Sequence, residues 1–388
     1  MLSAKRAGNI PGWQAEAICA APFHPGMGND QEMAAYAEAR FARIERLSPA
    51  VRLPLHRLGA LAHLPDTMRV LNGQALRRAL ARHRDAPFDA VLTWSTYHSV
   101  HLVGRALKRR LGLPWLAHMS DPWVDNPFVD HRGLVGALNR RLERSVIGAA
   151  DRLLLTTPET ADLVMAKYPQ SWRERVVVIP HGYEPALYSG ARPQPPDGRP
   201  LVLRYLGNFY GIRTPEPLFA ALHTLLARSP GTLDNVVVEI VGKLDPGMAE
   251  TALARSLPTG LVRVIPSVGY RQSLALMETA DLLLIVDAPA RLSVFLPSKL
   301  VDYLGARRPI LSLTPPGASR RVTLEAGFWA ASPDDPDAAA SALSAALDAL
   351  RSGTAAPRAH EQYSVAATGA RLAEMLDGLV SAAPTSGA

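Results

Sequence analysis

The chain of 388 residues contains one cysteine, Cys19, so no internal disulfide can form. It has no stretch approaching the roughly 20 consecutive apolar residues that a membrane-spanning helix needs. Its opening "MLSAKRAGNIPGWQAEAICAAP" has a charged start but no uninterrupted apolar segment followed by a cleavage site, so we expect no signal peptide. These absences argue against a disulfide-built secreted domain and an integral membrane protein. They predict a soluble protein of a reducing cytoplasm.

The net charge of +7 is unevenly distributed along the chain. Residues 1–180 hold 24 lysines and arginines against 16 acidic residues, whereas the remainder holds 18 against 19. Many of these cations fall in helix-like segments: Arg77, Arg78, Arg82, Arg84, Lys108, Arg109, Arg110, Arg140, Arg141 and Arg144. They are either solvated helix faces or a surface for an anionic partner, such as a membrane or a phosphate-bearing substrate. Nucleic acid is disfavoured, because no nucleic-acid motif is visible and the cations are not interleaved with aromatics.

Short apolar runs alternate with helix-length amphipathic stretches in two successive sets. The first set is "FDAVLTW", "LPWLAHM", "DRLLLTT" and "RVVVIP", and the second is "LVLRYLG", "NVVVEIVG", "LVRVIP", "DLLLIVD" and "RRPILSL". This alternation predicts an α/β protein with two doubly wound parallel sheets. The Pro- and Gly-rich linker 188–200 suggests domains at 1–190 and 198–360, followed by a helix at 361–380 that packs back toward the first domain.

Ligands of doubly wound sheets bind at the carboxyl ends of the strands, so we expect a site there, between the domains. The segment "LRYLGNFYGIRTPEPL" leads from a predicted strand into Gly207, Asn208, Gly211 and Arg213. A glycine turn allows close backbone approach, and an arginine can grip phosphate oxygens with two hydrogen bonds. The segment is therefore either a diphosphate cradle or a tight turn with a surface arginine.

The segment "FLPSKLVDYLGARRPIL" places Lys299 in the first turn of a predicted helix and Asp302 one turn later. Free backbone N–H groups at a helix start favour an anion, so an ammonium group there is poorly tolerated unless an anion binds too. A bound phosphate would resolve that conflict. Alternatively, Lys299 points to solvent and Asp302 complements the helix dipole.

Several polar and aromatic side chains follow predicted strands of the first set. His98 and His101 lie in "TWSTYHSVHLVG", and His118 and Asp121 lie in "AHMSDPW". They either hold an acceptor or the transferred sugar, or are structural. Trp94, Trp115 and Trp123 either offer a sugar-stacking face or belong to the core.

Five segments of the chain resemble, in order and spacing, motifs of the family 4 retaining glycosyltransferases. "FLPSKLVDYLGARRPIL" is similar to that family's "PSKLxEYLAxGxPIL", and "YLGNFYGIRTPEPLFAAL" to its "GxFYxxRxPxxLLxAL". "LPWLAHMSDPWVDNPF" is similar to "PWVADFRDPW", "ADRLLLTTPETADLV" to "ADxVxxxTxxxxxxL", and "VVVIPHGYEP" to "VIPNGYD". The resemblance implies the GT-B fold, with two Rossmann-like domains facing a central cleft.

The resemblance also implies transfer of a sugar from a nucleotide-diphosphate sugar with retained anomeric configuration, by a metal-independent hexosyltransferase without a cofactor. By position, Arg213 and Lys299 would be catalytic. The donor would be held by Gly207, Asn208, Phe209, Ser298, Leu300 and Asp302. The acceptor or sugar side would include His98, His118 and Asp121. Bacterial relatives that build cell-surface polysaccharides or glycolipids suggest a cytoplasmic protein that contacts the inner membrane face peripherally.

Two departures from the family pattern weaken the transfer of residue roles. The first concerns two acidic positions and indicates the "PSKLxEYL" subgroup, which often lacks the first acid, rather than lost activity; the second, at the amino terminus, keeps a rival hypothesis open. Val294 stands where many members have a glutamate, and Asp302 replaces the usual ribose-binding glutamate. The chain opens on a helix-like "LSAKRAGNI", and the following "WQAEAICAAP" resembles the second strand, so the first strand is expected to be missing. The rival is a catalytically inactive nucleotide-sugar binder or assembly partner in a polysaccharide-synthesis complex. A nucleotide-sugar epimerase of the same fold would turn over donor without acceptor.

Overall fold

The computed structural model describes residues 11–14 and 64–382, with gaps at 96, 128, 130–131, 191–197 and 356–357. The chain divides into two compact units. The first unit runs to Ile179 and includes the chain from Gly369 onward, whereas the second is Pro180–Thr368. The predicted strand in "WQAEAICAAP", apart from its first two residues, and the predicted absence of a first strand lie outside the described residues.

The first unit contains a four-stranded parallel sheet in the order β1-β2-β3-β4. Its strands are β1 (Val91–Ser95), β2 (Trp115–Met119), β3 (Arg152–Leu155) and β4 (Val176–Val178). A 3-10 turn at Thr67–Leu71 precedes the helices α1 (Asn72–Asp85), α2 (Val100–Leu111), α3 (Gly133–Ala149), α4 (Pro158–Met165) and α5 (Gln170–Arg173). Every residue of β2 is buried, as expected for an inner parallel strand that is covered on both faces.

The second unit contains a six-stranded parallel sheet. Its strands are β5 (Leu201–Leu206), β6 (Val236–Val241), β7 (Val262–Ile265), β8 (Leu282–Val286), β9 (Ile310–Leu313) and β10 (Trp329–Ala331). The helices are α6 (Glu216–Arg228), α7 (Pro246–Ala249), α8 (Ala252–Ser256), α9 (Tyr270–Glu278), α10 (Ser298–Gly305), α11 (Ala318–Glu325) and α12 (Pro336–Arg351), with 3-10 turns at Pro185–Leu187 and Glu361–Tyr363. Each strand of the second predicted set is present, and β10 is one that the sequence reading did not include.

The strand order β10-β9-β8-β5-β6-β7 reverses direction at β5. From β5 the chain moves outward to β6 and β7, and then returns to place β8 on the other side of β5. Buried side chains of β8 alternate between two core clusters, so helices cover both faces of the sheet. Ligands of such sheets bind beyond the carboxyl ends of the strands where the order reverses. Here that place follows Leu206 of β5 and Val286 of β8.

The described domain boundary differs from the predicted one at residue 190. The units divide at Ile179 and Pro180, because Tyr183 packs in the second unit's core and the Tyr188 hydroxyl donates a hydrogen bond to Asp302 O at 3.0 Å.

The last helix, α13 (Val365–Ser381), belongs to the first unit from Gly369 onward. Leu372 and Leu376 of this helix share a core cluster with Leu116 of β2 and Leu154 of β3. The short described segment at 11–14 also reaches this helix, since Trp13 Nε1 donates to Asp377 Oδ1 at 2.9 Å.

Candidate functional site

Two glycines shape the backbone at the carboxyl ends of β5 and β6. Gly207 has φ of +144° and Gly242 has φ of +147°, a region that side-chain-bearing residues rarely adopt. A Cβ added to Gly242 would collide with the Gly207 carbonyl, and one added to Gly207 would collide with Lys299 Nζ. The two loops can therefore approach each other, and the lysine can reach the loop, only with glycine at these positions.

Lys299 is half-buried in the first turn of α10, and its ammonium group is held by Tyr205. Nζ donates to the Tyr205 hydroxyl at 2.9 Å and lies 4.1 Å from the centroid of the same ring. Burial, and then repulsion from Arg213, lower the pKa of Lys299 to about 7, although Asp287 opposes the shift. No side chain caps α10. A lysine this strained in its charged form is one that an incoming anion would stabilise.

Arg213 lies in the loop that joins β5 to α6. Two backbone hydrogen bonds pair it with Tyr210 at 3.0 and 3.1 Å, and its guanidinium lies 5.8 Å from the Tyr210 ring centroid. Its Nε is buried and has no hydrogen-bond partner among the described residues. Among the described residues, no carboxylate forms an ion pair with Arg213 or with Lys299. The two cations thus share a site whose charge is not neutralised by a salt bridge.

Asp302 follows Lys299 by one turn of α10 and is half-buried. Its Oδ1 accepts hydrogen bonds from the hydroxyls of Tyr270 at 3.2 Å and Tyr188 at 3.4 Å. Burial and the neighbouring Asp302 carboxylate raise the pKa of Tyr188. Two tyrosines therefore fix the orientation of this carboxylate one turn into α10.

The other predicted donor-binding residues occupy different environments around the same loop. Asn208 Oδ1 accepts from Lys243 N at 2.9 Å, which ties the loops after β5 and β6 together. Phe209 is buried and stacks on Tyr205 with ring centroids 4.2 Å apart. Ser298 is exposed at the first position of α10, whereas Leu300 lies in the core. The side chains of Phe209 and Leu300 therefore support the site from within.

Two residues that the sequence reading did not single out also belong to this site. Tyr205 lies on an inward-facing position of β5 and contacts Lys299 directly. Asp287 follows β8, is buried, and accepts a hydrogen bond from Thr314 Oγ1 at 2.8 Å. The only sequence signal for Asp287 was a carboxylate at the end of the apolar run "LLLIVD".

The predicted acceptor-side residues lie at the carboxyl ends of β1 and β2 in the first unit. His118 stacks on Trp94 with ring centroids 3.7 Å apart, and His98 stacks on Trp123 at 4.8 Å. Asp121 is an exposed residue, but nearby atoms shield its carboxyl group from part of the solvent. This partial desolvation raises the pKa of Asp121.

His101 is fully buried beside this cluster. Its Nδ1 lies 2.8 Å from the Thr93 hydroxyl, which accepts from Trp115 Nε1 at 2.9 Å. Burial lowers the pKa of His101 well below its ordinary value, with a further contribution from His98 and His118. Trp115 and Trp123 are core residues, which matches the packing alternative stated for them.

No helix in the described ranges is both long enough and apolar enough to span a membrane. Over those same ranges, no group of three or more His, Cys, Asp or Glu residues is placed to hold a metal ion.

Two α/β units, each built on a parallel sheet, match the GT-B architecture of two Rossmann-like domains. The predicted fold class is therefore confirmed. The solved structures that resemble the chain include sucrose-phosphate synthase from Thermosynechococcus elongatus, with TM-score 0.56, 16% identity, and coverage of 81% of this chain and 79% of that one. An α,α-trehalose 6-phosphate synthase from Burkholderia multivorans has a TM-score of 0.58 and 16% identity, and the match covers 81% of this chain and 76% of that one. Anabaena HepE in complex with UDP-glucose has a TM-score of 0.52 and 12% identity, and the match covers 79% of this chain and 82% of that one.

At the sequence level, residues 8–182 match the family model described as "Glycosyl transferase 4-like domain". D-inositol 3-phosphate glycosyltransferase of Actinosynnema mirum is 29% identical over 220 residues, which are 53% of this chain and 52% of that protein. The Streptomyces avermitilis protein of the same name is 27% identical over 209 residues, covering 50% and 41%. The chain spans about half the length of the curated relatives it matches.

Proposed function

We propose that this chain is a retaining glycosyltransferase of the hexosyltransferase type. It would move a sugar from a nucleotide-diphosphate sugar to a polysaccharide, glycolipid or small-molecule acceptor. The observation that carries the proposal is the pair of cations at the strand-order reversal of the second unit. Lys299 and Arg213 influence each other electrostatically beside Gly207, and neither is neutralised by an ion pair within the described residues. The family-model match and the curated relatives support the same class of reaction.

The proposed chemistry follows from where charge grows during the reaction. When the bond between the sugar and the diphosphate breaks, negative charge develops on the departing phosphate. Arg213 and Lys299 would stabilise that charge, and groups already in place contribute most because they need not reorganise. In a front-face mechanism the leaving phosphate helps to take the acceptor's proton, so no protein nucleophile is needed. Metal independence and the absence of a cofactor are part of this proposal.

Contacts to the rest of the donor would come from the same unit. The uncapped start of α10, at Ser298, offers backbone N–H groups to a phosphate. Asp302, oriented by Tyr188 and Tyr270, would accept hydrogen bonds from the ribose hydroxyls. Gly207 and Asn208 would let the backbone approach the diphosphate.

The acceptor or the transferred sugar would meet the carboxyl edge of the first unit's sheet. His98, His118 and Asp121 are the side chains proposed for that role, since each lies at or just after the carboxyl end of β1 or β2. The basic first half would support peripheral contact with the inner face of the cytoplasmic membrane.

The experiment incubates the purified protein with a panel of nucleotide sugars, UDP-glucose among them, with and without candidate acceptors. Release of free nucleoside diphosphate that depends on an acceptor supports the proposal, and the configuration of the product tests retention. Donor binding without turnover would favour the inactive binder, and donor conversion without acceptor would favour an epimerase. If the protein neither binds nor turns over any donor of the panel, the enzyme proposal fails. Added chelator tests the proposed metal independence.

A further inference from the structure

A pocket lined by both cationic and apolar side chains lies within the first unit, among the Thr67–Leu71 turn, α2 and α3. Its volume is about 290 Å³. Its lining consists of three arginines, one serine and three leucines: Arg69, Arg105, Arg141, Ser145, Leu64, Leu138 and Leu142. No acidic side chain lines it. A pocket walled by three cations and no carboxylate requires an explanation, because like charges raise the free energy of one another.

The three guanidinium groups have only neutral hydrogen-bond acceptors or none among the described residues. Arg69 Nη1 donates to the Leu64 carbonyl at 2.6 Å, and Arg105 Nη1 donates to the Ser145 hydroxyl. For Arg141, which is exposed, no hydrogen bond or ion pair is found in the described part of the chain. Burial lowers the pKa of Arg105, and the neighbouring Arg109 lowers it further. Within the part of the chain that the structure describes, the arginines are therefore positioned without a counter-ion.

Carboxylates on neighbouring elements are occupied elsewhere. Glu143 is buried on α3 and accepts from Val124 N at 2.9 Å and from the Tyr168 hydroxyl at 2.7 Å. Asp66 accepts from Ser99 N and Ser99 Oγ at 2.8 and 2.6 Å. Neither residue is available to neutralise the pocket.

The apolar part of the pocket continues along α3 to the surface. Leu134, Leu138, Leu142 and Ser145 follow one another at helical spacings of four, four and three, so they share one face of the helix. Leu134 is 65% exposed, which is high for a leucine. These side chains form an apolar stripe on one face of α3, which extends from the exposed Leu134 to the arginine-lined pocket.

We propose that this pocket binds a phosphate group, with the guanidinium groups of Arg105 and Arg141 as its main contacts and Arg69 as a third. Guanidinium forks match phosphate oxygens with paired, charge-assisted hydrogen bonds, and a phosphate would supply the missing counter-ion. The site is separate from the donor residues of the second unit, so this proposal does not depend on the proposed function. The phosphate comes either from an anionic lipid head group or from a soluble phosphoester, and the exposed stripe on α3 gives an apolar portion of the ligand a surface to contact.

The test compares Arg141→Glu with Arg110→Glu in the full chain. Both residues are exposed arginines on helices of the same unit, and both substitutions change the charge equally, but Arg110 does not line the pocket. One arm measures sedimentation with vesicles of phosphatidylglycerol and phosphatidylcholine, and with phosphatidylcholine alone. The other arm measures binding of inorganic phosphate by calorimetry at fixed ionic strength. Thermal melting checks that each variant is folded.

We expect at least tenfold weaker binding for Arg141→Glu in one of the two arms, and a change of less than threefold for Arg110→Glu. Loss of anionic-vesicle binding identifies a lipid phosphate as the ligand. Loss of inorganic-phosphate binding without vesicle binding identifies a soluble phosphoester. Equal losses for the two variants would show diffuse surface attraction and overturn the proposal, and so would the failure of the wild-type protein to bind either probe. Donor turnover of Arg141→Glu is expected to match the wild type, so an inactive wild-type protein would bear only on the proposed function.

Discussion

The carboxyl edges of the two parallel sheets use different kinds of side chain. In the second unit, Lys299 and Arg213 bring positive charge, which no salt bridge among the described residues neutralises, to a backbone opened by Gly207. In the first unit, the edge is built from histidines stacked on tryptophans, with His101 buried and kept neutral. Charge suits a diphosphate, whereas stacked rings and hydrogen-bonding groups suit a neutral sugar. The two edges are therefore suited to chemically different ligand groups.

The two units also show that the net charge of a region does not determine where its most desolvated cation lies. The first 180 residues carry the excess of cations, and many of those that the structure describes lie on exposed helix faces, where water screens them. The remainder of the chain is close to neutral, with 18 basic and 19 acidic residues, and it holds the desolvated lysine. Local burial, rather than the sum of charges, decides where an anion is stabilised most strongly.

The largest expected effect is loss of the charge on Lys299. Lys299→Ala should lower turnover on the order of 10²–10³-fold, because a fixed donor to a developing negative charge contributes that much to catalysis. The melting temperature should change little, since the ammonium group is itself strained by burial. Steady-state kinetics and thermal melting measure the two quantities. Arg263→Ala, which removes an exposed cation of β7, is the control and should be nearly neutral. Full activity of Lys299→Ala would show that the lysine has no part in the chemistry.

The next largest effect is expected from a change to the backbone at Gly207 rather than to the charge of Lys299. Gly207→Ala should weaken donor binding about a hundredfold, because the new Cβ collides with Lys299 Nζ and the φ of +144° is strained for alanine. Gly247→Ala is the matched control, since an added Cβ there meets no atom within 4 Å. Calorimetry with a nucleotide sugar measures both affinities. Unchanged affinity in Gly207→Ala would place the diphosphate away from this loop.

Donor affinity should also depend on pH through the lysine. With a pKa of about 7 in the free protein, Lys299 is charged below that pH and mostly neutral above it. A bound diphosphate stabilises the ammonium form, so above pH 7 binding must take up a proton and affinity falls about tenfold per pH unit. Because half of the lysine is already neutral at pH 7, we expect about a fifteenfold rise in Kd for a nucleotide sugar from pH 7 to 8.5.

The pH experiment has an internal control in Lys299→Arg. Arginine stays charged throughout this range, so its binding curve should be flat even where its affinity is lower. Calorimetry in two buffers of different ionisation enthalpy would count the proton taken up. A flat curve for the wild-type protein would mean that the lysine is already charged before the donor arrives.

Much of the second unit's edge could be predicted from the sequence. The glycine turn, Arg213 and Lys299 each carry a local signal, because strand-to-helix turns and helix starts have recognisable residue types. Tyr205 carried none, since a tyrosine in a strand is ordinary core until the fold brings α10 beside β5. Asp287 likewise depends on strand order, which places β8 next to β5 through a pairing distant in sequence.

The first unit's edge could be predicted less fully for a related reason. Its tryptophans and histidines are recognisable in the sequence, but only the fold decides which rings stack and which are buried. Trp115 and Trp94 lie on neighbouring strands, yet Trp115 is fully buried and bonded to Thr93, whereas Trp94 is half-buried against His118. Sequence spacing alone gives both residues the same two interpretations.

A smaller effect is expected from the support that Tyr205 gives to Lys299. Tyr205→Phe keeps the ring beneath the ammonium group and removes only the hydroxyl that accepts its hydrogen bond at 2.9 Å. Hydrogen bonds to charged groups contribute about 1.5–3 kcal/mol, and for a partly exposed site we expect the lower end of that range, which lowers kcat/KM about tenfold. The pH profile of binding should shift as well, since the lysine loses a neighbour. Tyr210→Phe removes an exposed hydroxyl from the same loop and should change neither quantity. Identical behaviour of the two variants would make Tyr205 a packing residue only.

The smallest effect would set the two edges apart most clearly. Asp121→Asn, at the carboxyl edge of the first unit, should raise the KM for acceptor about threefold, because one exposed hydrogen bond to a hydroxyl contributes about 0.5–1.5 kcal/mol. Donor affinity should stay within twofold of the wild type, since the residue carries no part of the diphosphate site. Asp89→Asn is the control, because Asp89 is exposed and precedes β1 at the opposite, amino edge of the same sheet. Bisubstrate kinetics separates the two constants. A change in donor affinity alone would mean that both edges serve the donor, and the division of labour between the units would then be wrong.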